Sequence, residues 1–206
     1  VFDALETFLF TPGHTTSKGV HVRDGIDLKR TMFLVIVAMI PALLFGTWNI
    51  GHQYYLSLGD ITTADPWTAM FLDKIIVGAI KVVPLIVVTY ATGIVIEFVI
   101  AGINGHAINE GFLVSGMLIP LIMPVDVPLW MVAVATAFAV LIAKEVFGGT
   151  GMNILNVALT CRAFLFFAYP KQMSGEIWIH DVMAAKSGGL LADGYTGATA
   201  LGHLAN

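Results

Sequence analysis

The sequence predicts an all-α integral membrane protein of about five transmembrane helices. Of its 206 residues, 57% are hydrophobic and 12% are charged, whereas a typical soluble domain is about 25% charged. The apolar residues form long runs separated by short polar stretches, as in successive helices that cross a lipid bilayer. The net charge of −4 is spread along the loops, so the sequence does not favour nucleic acid as a partner.

The N-terminal segment, residues 1–30, is predicted to lie on the cytoplasmic side. Its first ten residues place apolar side chains at helical spacing before a Thr-Pro-Gly stop, which predicts a short amphipathic helix in the interface or packed on other helices. Residues 14–30 contain two lysines and two arginines, and basic loops tend to stay cytoplasmic. The chain begins at Val1 without a signal-peptide pattern, so we expect a processed chain or a fragment.

Five apolar segments predict the membrane domain, residues 31–170. They are residues 31–50, about 75 or 82 to 101, 112–125, 129–146 and 152–169, with connections that include 51–74 and 102–111. The third segment has about fourteen residues and two prolines, fewer than the roughly 17 needed to cross untilted, so it predicts a broken or shortened span. Five crossings place residues 171–206 opposite the basic N-terminal segment, as a loop-like extracytoplasmic tail.

A hydroxyl-rich motif lies in this tail. Residues 193–199 read Asp-Gly-Tyr-Thr-Gly-Ala-Thr, so two small residues, Gly197 and Ala198, separate the hydroxyls of Thr196 and Thr199. Such a site can present a nucleophilic oxygen to a bulky reagent. Taken alone, the motif also suits a turn at Asp193 followed by a threonine helix cap.

Other stretches accompany this motif. They are residues 11–13, 21–24, 27–30, 109–112, 144–156 (Lys-Glu-Val-Phe-Gly-Gly-Thr-Gly-Met-Asn-Ile-Leu-Asn) and 162–170 (Arg-Ala-Phe-Leu-Phe-Phe-Ala-Tyr-Pro). Together with the motif they closely resemble, over essentially the whole chain, the NqrB family of membrane subunits from sodium-translocating NADH:quinone oxidoreductases. The RnfD protein of the related Rnf complex, which acts between ferredoxin and NAD, is the nearest alternative. A small-solute channel or transporter is a rival of another class, because broken helices also suit transport.

The resemblance implies the first half of a ten-helix, pseudo-symmetric subunit in the bacterial inner membrane. Its complex would pass electrons from NADH by way of FMN and riboflavin to ubiquinone or menaquinone while it exports Na⁺. Partners would be an NADH-oxidising flavoprotein and iron–sulfur subunit, a second FMN subunit, other membrane subunits and a flavin transferase.

The resemblance also assigns roles within the motif. A flavin transferase that acts outside the cytoplasm would join FMN through its phosphate to Thr199. Asp193 and Thr196 would be recognition residues, and Gly197 and Ala198 would let the transferase approach the backbone.

Two asparagines in the fifth apolar segment follow a glycine break. Asn153 and Asn156 lie three residues apart, on one face if this segment is helical. Such residues suit a helix-start cap by Asn153 and an interhelical hydrogen bond by Asn156. The resemblance implies instead that they bind riboflavin.

Charged side chains within the spans need compensation. Glu97 suits a snorkelling carboxylate, whereas the resemblance implies a Na⁺-path group. Gly93, one turn earlier, suits a packing notch or, by resemblance, the quinone vicinity. We expect Arg162 to find a carboxylate, a helix carbonyl end or a flavin phosphate, and Lys144 and Glu145 to be interfacial anchors.

Metal ligation by protein side chains is not predicted. The six histidines are scattered over loops without metal-ligand spacing. A single cysteine, Cys161, excludes an internal disulfide and a cluster ligated by several thiolates of this chain.

Overall fold

A computed structural model describes residues 16–22, 28–58, 60–61, 65–104 and 111–173. The interfacial helix predicted within residues 1–10 and the motif at residues 193–199 lie outside these ranges. Five α-helices account for most of the described residues: α1 Leu28–Leu58, α2 Phe71–Asn104, α3 Phe112–Ile122, α4 Leu129–Ala139 and α5 Val157–Ala168. The all-α prediction is therefore confirmed.

The helices differ in length: some are long enough to cross a membrane and two are shorter. Among the described residues, three helical segments are long and apolar enough to cross a membrane: Arg30–Leu56, Phe71–Ile103 and Leu129–Phe147. Helices α3 and α5 have 11 and 12 residues, about 17 and 18 Å at 1.5 Å per residue, against a hydrocarbon core of about 30 Å. The predicted shortening of the third segment is confirmed.

Several predicted boundaries differ from the structure. Helix α2 begins at Phe71, before the predicted start at about residue 75 or 82. Helix α1 continues through Leu58 instead of ending near residue 50, because residues 52–58 include polar and aromatic side chains but no helix breaker. The fifth helix begins at Val157 and not at residue 152. Gly148, Gly149 and Gly151 all adopt positive φ, which interrupts the helix for longer than the apolar pattern suggested.

Contacts between neighbouring helices fix their directions. A Cβ added to Gly51 would meet the backbone of Lys74, and one added to Gly78 would meet that of Thr47. Residue 51 of α1 thus faces residue 74 of α2, whereas residue 47, earlier in α1, faces residue 78, later in α2. Helices α1 and α2 are therefore antiparallel and approach each other closely at the two glycines.

The next helices continue this alternation. The hydroxyl of Tyr90 donates to the carbonyl oxygen of Leu113 at 2.7 Å, and the Phe112 ring lies against Gly93, so α3 runs antiparallel to α2. Lys81 contacts Asp126 just before α4, at 3.0 Å.

Near the far end of α2, Glu97 contacts Lys144 just after α4. The contact between Lys81 and Asp126 joins the first half of α2 to the residues just before α4, and the contact between Glu97 and Lys144 joins the last part of α2 to the residues just after α4. Helix α4 therefore runs parallel to α2. The ring centroids of Trp130 and Tyr169 lie 5.6 Å apart, so α5 runs antiparallel to α4. The described chain enters the bundle at one end and leaves it at the other.

The core lies among α2, α3, α4 and α5. Its buried side chains include Leu85, Ile119, Val132, Ala135 and Leu165. Many outward apolar side chains stay exposed, such as Leu34 and Phe45 on α1 and Phe167 on α5. An apolar exterior is what a surface in contact with lipid requires. Helix α1 packs mainly on α2, with close approaches at Gly51 and Gly78, and also contacts α3.

Candidate functional site

A buried ion pair joins α2 to the end of α4. Glu97 is 6% exposed and Lys144 is 4% exposed, and the Lys144 ammonium donates a hydrogen bond to Oε1 of Glu97. The same ammonium lies 3.9 Å from Oε1 of Glu145. Moving charges out of water costs several kcal/mol per ion, so each member of the pair depends on the other for compensation.

A change of helix type precedes Lys144. Helix α4 ends at Ala139 and continues as one π-helical turn, Val140–Lys144, followed by a 3-10 turn, Glu145–Phe147. A π turn holds one more residue than an α turn. The side chains at its end therefore project from a different side of the helix than they would in a continuous α-helix. Gly148, in a left-handed conformation with φ 105°, ends the helix. Lys144, the last residue of the π turn, points into the bundle towards α2.

This pairing corrects two expectations. Lys144 was predicted to be an interfacial anchor, but it is buried. Of the two interpretations of Glu97, snorkelling does not apply, because its carboxylate is held inside the bundle by that lysine; the Na⁺-path role stays a prediction. Sequence spacing does not reveal the contact, because the two residues are 47 positions apart and meet only through the π turn.

A tight aromatic contact lies one helical turn before Glu97. The ring of Phe112, at the start of α3, occupies the space where a Cβ on Gly93 would project. The Tyr90 ring meets the Phe112 ring edge-on, with centroids 6.3 Å apart. Gly93 is thus a packing notch. Tyr90, Gly93 and Glu97 also follow one another along one face of α2, because they are spaced by three and four residues.

The two asparagines lie in the loop between α4 and α5. Oδ1 of Asn156 accepts from the Leu159 backbone N–H at 3.1 Å, and this caps α5. Nδ2 of Asn153 donates to the carbonyl oxygen of Leu155 at 3.0 Å. The prediction that both residues share a helix face was wrong: Asn156 is the cap in place of Asn153, and the segment is not helical before Val157. Both side chains are exposed, at the end of the bundle that holds Lys144.

Arg162 finds one of its predicted partners. Its Nη1 donates to the carbonyl oxygen of Ile122, the last residue of α3. A cation at a helix C-terminus interacts favourably with the helix dipole. Cys161, the preceding residue, is buried, with Sγ 3.9 Å from Oγ1 of Thr136. In the part of the chain that the structure describes, no group of three His, Cys, Asp or Glu side chains is placed to hold a metal ion.

A second buried lysine, missed at the sequence level, lies at the other end of the bundle. Lys74 is fully buried, and its Nζ lies 5.9 Å from the centroid of the Trp48 ring. The His52 ring stacks on Trp48, with centroids 5.0 Å apart. Within the described ranges, Nζ of Lys74, Nδ1 of His52 and Nε1 of Trp48 make no hydrogen bond.

An apolar cavity of about 560 Å³ adjoins Trp48 between α1 and the start of α2. Its lining is almost wholly apolar or aromatic, with Phe45, Trp67 and Phe71 among the residues that form it. Neither Lys74 nor His52 lines this cavity. The Trp48 ring therefore borders the cavity and also contacts the Lys74 and His52 side chains.

Comparison with known proteins gives consistent matches. The model of the NQR2, RnfD, RnfE family matches residues 15–206. The chain is 44% identical over 218 residues to the B subunit of the Na(+)-translocating NADH-quinone reductase of Stutzerimonas stutzeri, 42% to the protein of that name from Ectopseudomonas mendocina and 41% to that from Pseudomonas aeruginosa. Each alignment covers 98% of this chain and 51% of the relative. The chain thus spans about half the length of these curated relatives.

Proposed function

The chain belongs to the NQR2, RnfD, RnfE family, and we propose that it is a membrane subunit of a Na⁺-pumping NADH:quinone oxidoreductase. The names of its relatives support this assignment, since they describe a Na⁺-translocating NADH-quinone reductase. The complex would be a translocase in which this subunit works with NADH-oxidising, flavin-bearing and other membrane subunits. The observation that carries the proposal for the described residues is the buried Glu97 carboxylate, one helical turn from the contact between Gly93 and Phe112.

Glu97 is proposed to lie on the Na⁺ path. A carboxylate inside the bundle offers hard oxygen ligands, and buried charged groups in membrane proteins commonly mark ion pathways. Gly93 is proposed to border the quinone. The neighbouring rings of Tyr90 and Phe112 provide flat apolar surfaces that suit a quinone ring, and the carboxylate is close enough along α2 for ion and quinone events to influence each other.

Asn153 and Asn156 are proposed to contact riboflavin. Both belong to an exposed loop at the Glu97 end of the bundle, and amide groups can hydrogen-bond the polar edge of a flavin ring. The fit is partial, because Oδ1 of Asn156 already caps α5. A bound flavin supplies one- or two-electron chemistry. These residues would orient it.

Thr199 is proposed to carry FMN as a phosphoester. The threonine oxygen would attack the flavin-bearing phosphorus of a flavin dinucleotide, whose phosphoanhydride bond breaks to release a nucleoside monophosphate, while the hydroxyl proton passes to a base of the flavin transferase. Asp193 and Thr196 would be recognised by the transferase, and Gly197 and Ala198 would leave space for it. The proposed side is extracytoplasmic. Two observations support it: residues 14–30, which lead into the first turn of α1, contain four lysine and arginine side chains, which favours the cytoplasm, and α5 leaves the bundle at the opposite end.

Covalent flavin labelling tests this proposal and separates it from a non-redox transporter. The complete subunit is co-expressed with a flavin transferase, denatured, and viewed on a gel for flavin fluorescence. We expect a fluorescent band for the unaltered chain, none for Thr199→Ala, and an unchanged band for Ser187→Ala, which removes a tail hydroxyl outside the motif. A dark band for the unaltered chain, or fluorescence that survives Thr199→Ala, would contradict the flavin assignment.

Sodium-stimulated reduction of quinone by NADH separates the proposal from the Rnf alternative. The assembled complex should reduce quinone faster as NaCl replaces KCl at constant ionic strength. Electron transfer to NAD from reduced ferredoxin, without quinone reduction, would favour the Rnf function instead.

A further inference from the structure

Three charged side chains meet where α2 faces the end of α4. The Lys144 ammonium contacts Glu97 and lies 3.9 Å from Glu145. The Glu145 side chain is itself only 12% exposed, so water is largely excluded from all three groups. With both carboxylates ionised, two negative charges share one positive charge. The group therefore carries a net charge of −1 in a low-dielectric setting.

One further monovalent cation would neutralise this group. Buried charges are normally either paired or bound to a metal ion, and a hard cation prefers oxygen ligands of the kind that the carboxylates offer. The ammonium of a lysine is a compact point charge on a flexible four-carbon stem. It occupies, at Oε1 of Glu97, a position that a Na⁺ ion would also favour.

We propose that Lys144 is a tethered competitor of Na⁺: its ammonium occupies the cation position at Glu97 until Na⁺ displaces it. This inference rests on the proposed function, in which Glu97 lies on the Na⁺ path. When Na⁺ binds Glu97, the ammonium moves to Glu145, which it already approaches. Glu97 therefore stays compensated before and after the exchange, and the net charge of the group changes from −1 to zero.

The helix that carries Lys144 is suited to such an exchange. Lys144 is the last residue of the π turn, and a 3-10 turn comes directly after it. Converting a π turn to an α turn removes one residue from the turn and rotates the residues after it by about 100°. A rearrangement confined to residues 140–147 can thus withdraw the ammonium from Glu97 without moving α2.

The test measures the Na⁺ dependence of quinone reduction by NADH in the assembled complex with the complete subunit. Choline chloride keeps the ionic strength constant. Lys144→Gln removes the competing charge, so we expect the half-saturating Na⁺ concentration to fall at least tenfold. Lys144→Arg keeps the charge and forms a more persistent pair with a carboxylate, so we expect that concentration to rise severalfold.

A matched control lies on the same helix as Glu97. Lys81→Gln removes a lysine that is also paired with a carboxylate, Asp126, but at the other end of α2 and partly exposed. This variant should keep the half-saturating Na⁺ concentration of the unaltered complex. An unchanged or raised value for Lys144→Gln would overturn the proposal, as would a lowered value for Lys144→Arg.

Failure of the inference can be told apart from failure of the proposed function. If Glu97→Gln leaves Na⁺ stimulation intact, Glu97 does not lie on the Na⁺ path and the proposed role itself is wrong. If Glu97→Gln abolishes the stimulation while neither Lys144 variant shifts it, only the competition is wrong.

A second readout applies when Lys144→Gln lowers the turnover or yield. NaCl should raise the melting temperature of the Lys144→Gln complex more than that of the unaltered complex, relative to choline chloride. The double variant Glu97→Gln/Lys144→Gln should lose this Na⁺-specific shift. Equal shifts for all three proteins would overturn the proposal.

Discussion

Two buried lysines mark opposite ends of the bundle, and their surroundings differ. Lys144 contacts a buried carboxylate, whereas the Lys74 ammonium lies 5.9 Å from the centroid of the Trp48 ring and makes no hydrogen bond among the described residues. A cation over an aromatic ring gains about 0.5–2 kcal/mol, less than the several kcal/mol that burying an ion costs. Burial alone therefore does not determine how much a lysine contributes to the free energy of unfolding. We expect the contribution to be large where a buried carboxylate such as that of Glu97 needs the lysine as its counter-charge.

The largest expected effect comes from breaking the pair. In the complete subunit, Lys144→Met should lower the free energy of unfolding by about 3–5 kcal/mol, because Glu97 then stays buried without its counter-charge. Thermal unfolding in detergent without Na⁺, followed by intrinsic fluorescence, measures the loss.

The double variant Glu97→Gln/Lys144→Met serves as the control, since it removes both charges. It should recover most of the stability lost in Lys144→Met. If the double variant is as unstable as Lys144→Met, then packing by the lysine stem, and not the ion pair, holds this end together.

The fold was largely predictable, whereas the pairing of charges was not. Hydrophobic runs located all five helices, and two prolines with a length of about fourteen residues indicated that the third was short. The end of α1 was missed because polarity was taken as the end of a helix, although His52 and Tyr54 remain helical. The start of α5 depends on three glycines at positive φ, which a glycine-rich sequence permits but does not require.

The candidate site was predicted only in part. A carboxylate within an apolar run drew attention to Glu97, because an uncompensated charge there is costly. Its partner Lys144 stands beside Glu145 at a helix end, and such residues usually face water or lipid headgroups. Lys74 lies at the boundary of a polar linker. Only the close approach of α1 and α2 at Gly51 buries it, and no local pattern encodes that approach.

A smaller effect is expected from filling the notch near Glu97. Gly93→Ala should lower the free energy of unfolding by about 1–3 kcal/mol, since its Cβ projects into the buried ring of Phe112. Gly102→Ala is the matched control on the same helix, because a Cβ there meets no atom within 4 Å. It should cause no loss of stability.

The double variant Gly93→Ala/Phe112→Leu sharpens this test. A smaller side chain at position 112 should recover part of the stability lost in Gly93→Ala, as measured by thermal unfolding of the same preparations. Equal stability of Gly93→Ala and the unaltered subunit would show that the Glu97 end is packed loosely. The Lys144 end and the Lys74 end of the bundle would then differ only in the charges around their lysines.

The smallest effect is expected at the other lysine. Lys74→Met replaces an ammonium that is unpaired among the described residues with an apolar side chain of similar length, so the loss of its attraction to Trp48 is offset by the removal of a buried charge. We expect the free energy of unfolding of the complete subunit to change by no more than about 1 kcal/mol, in either direction, in a thermal melt. Lys74→Ala should be less stable than Lys74→Met, because it leaves a cavity. A loss in Lys74→Met as large as that in Lys144→Met would mean that Lys74 compensates a negative group outside the described residues, and the two ends would then be alike.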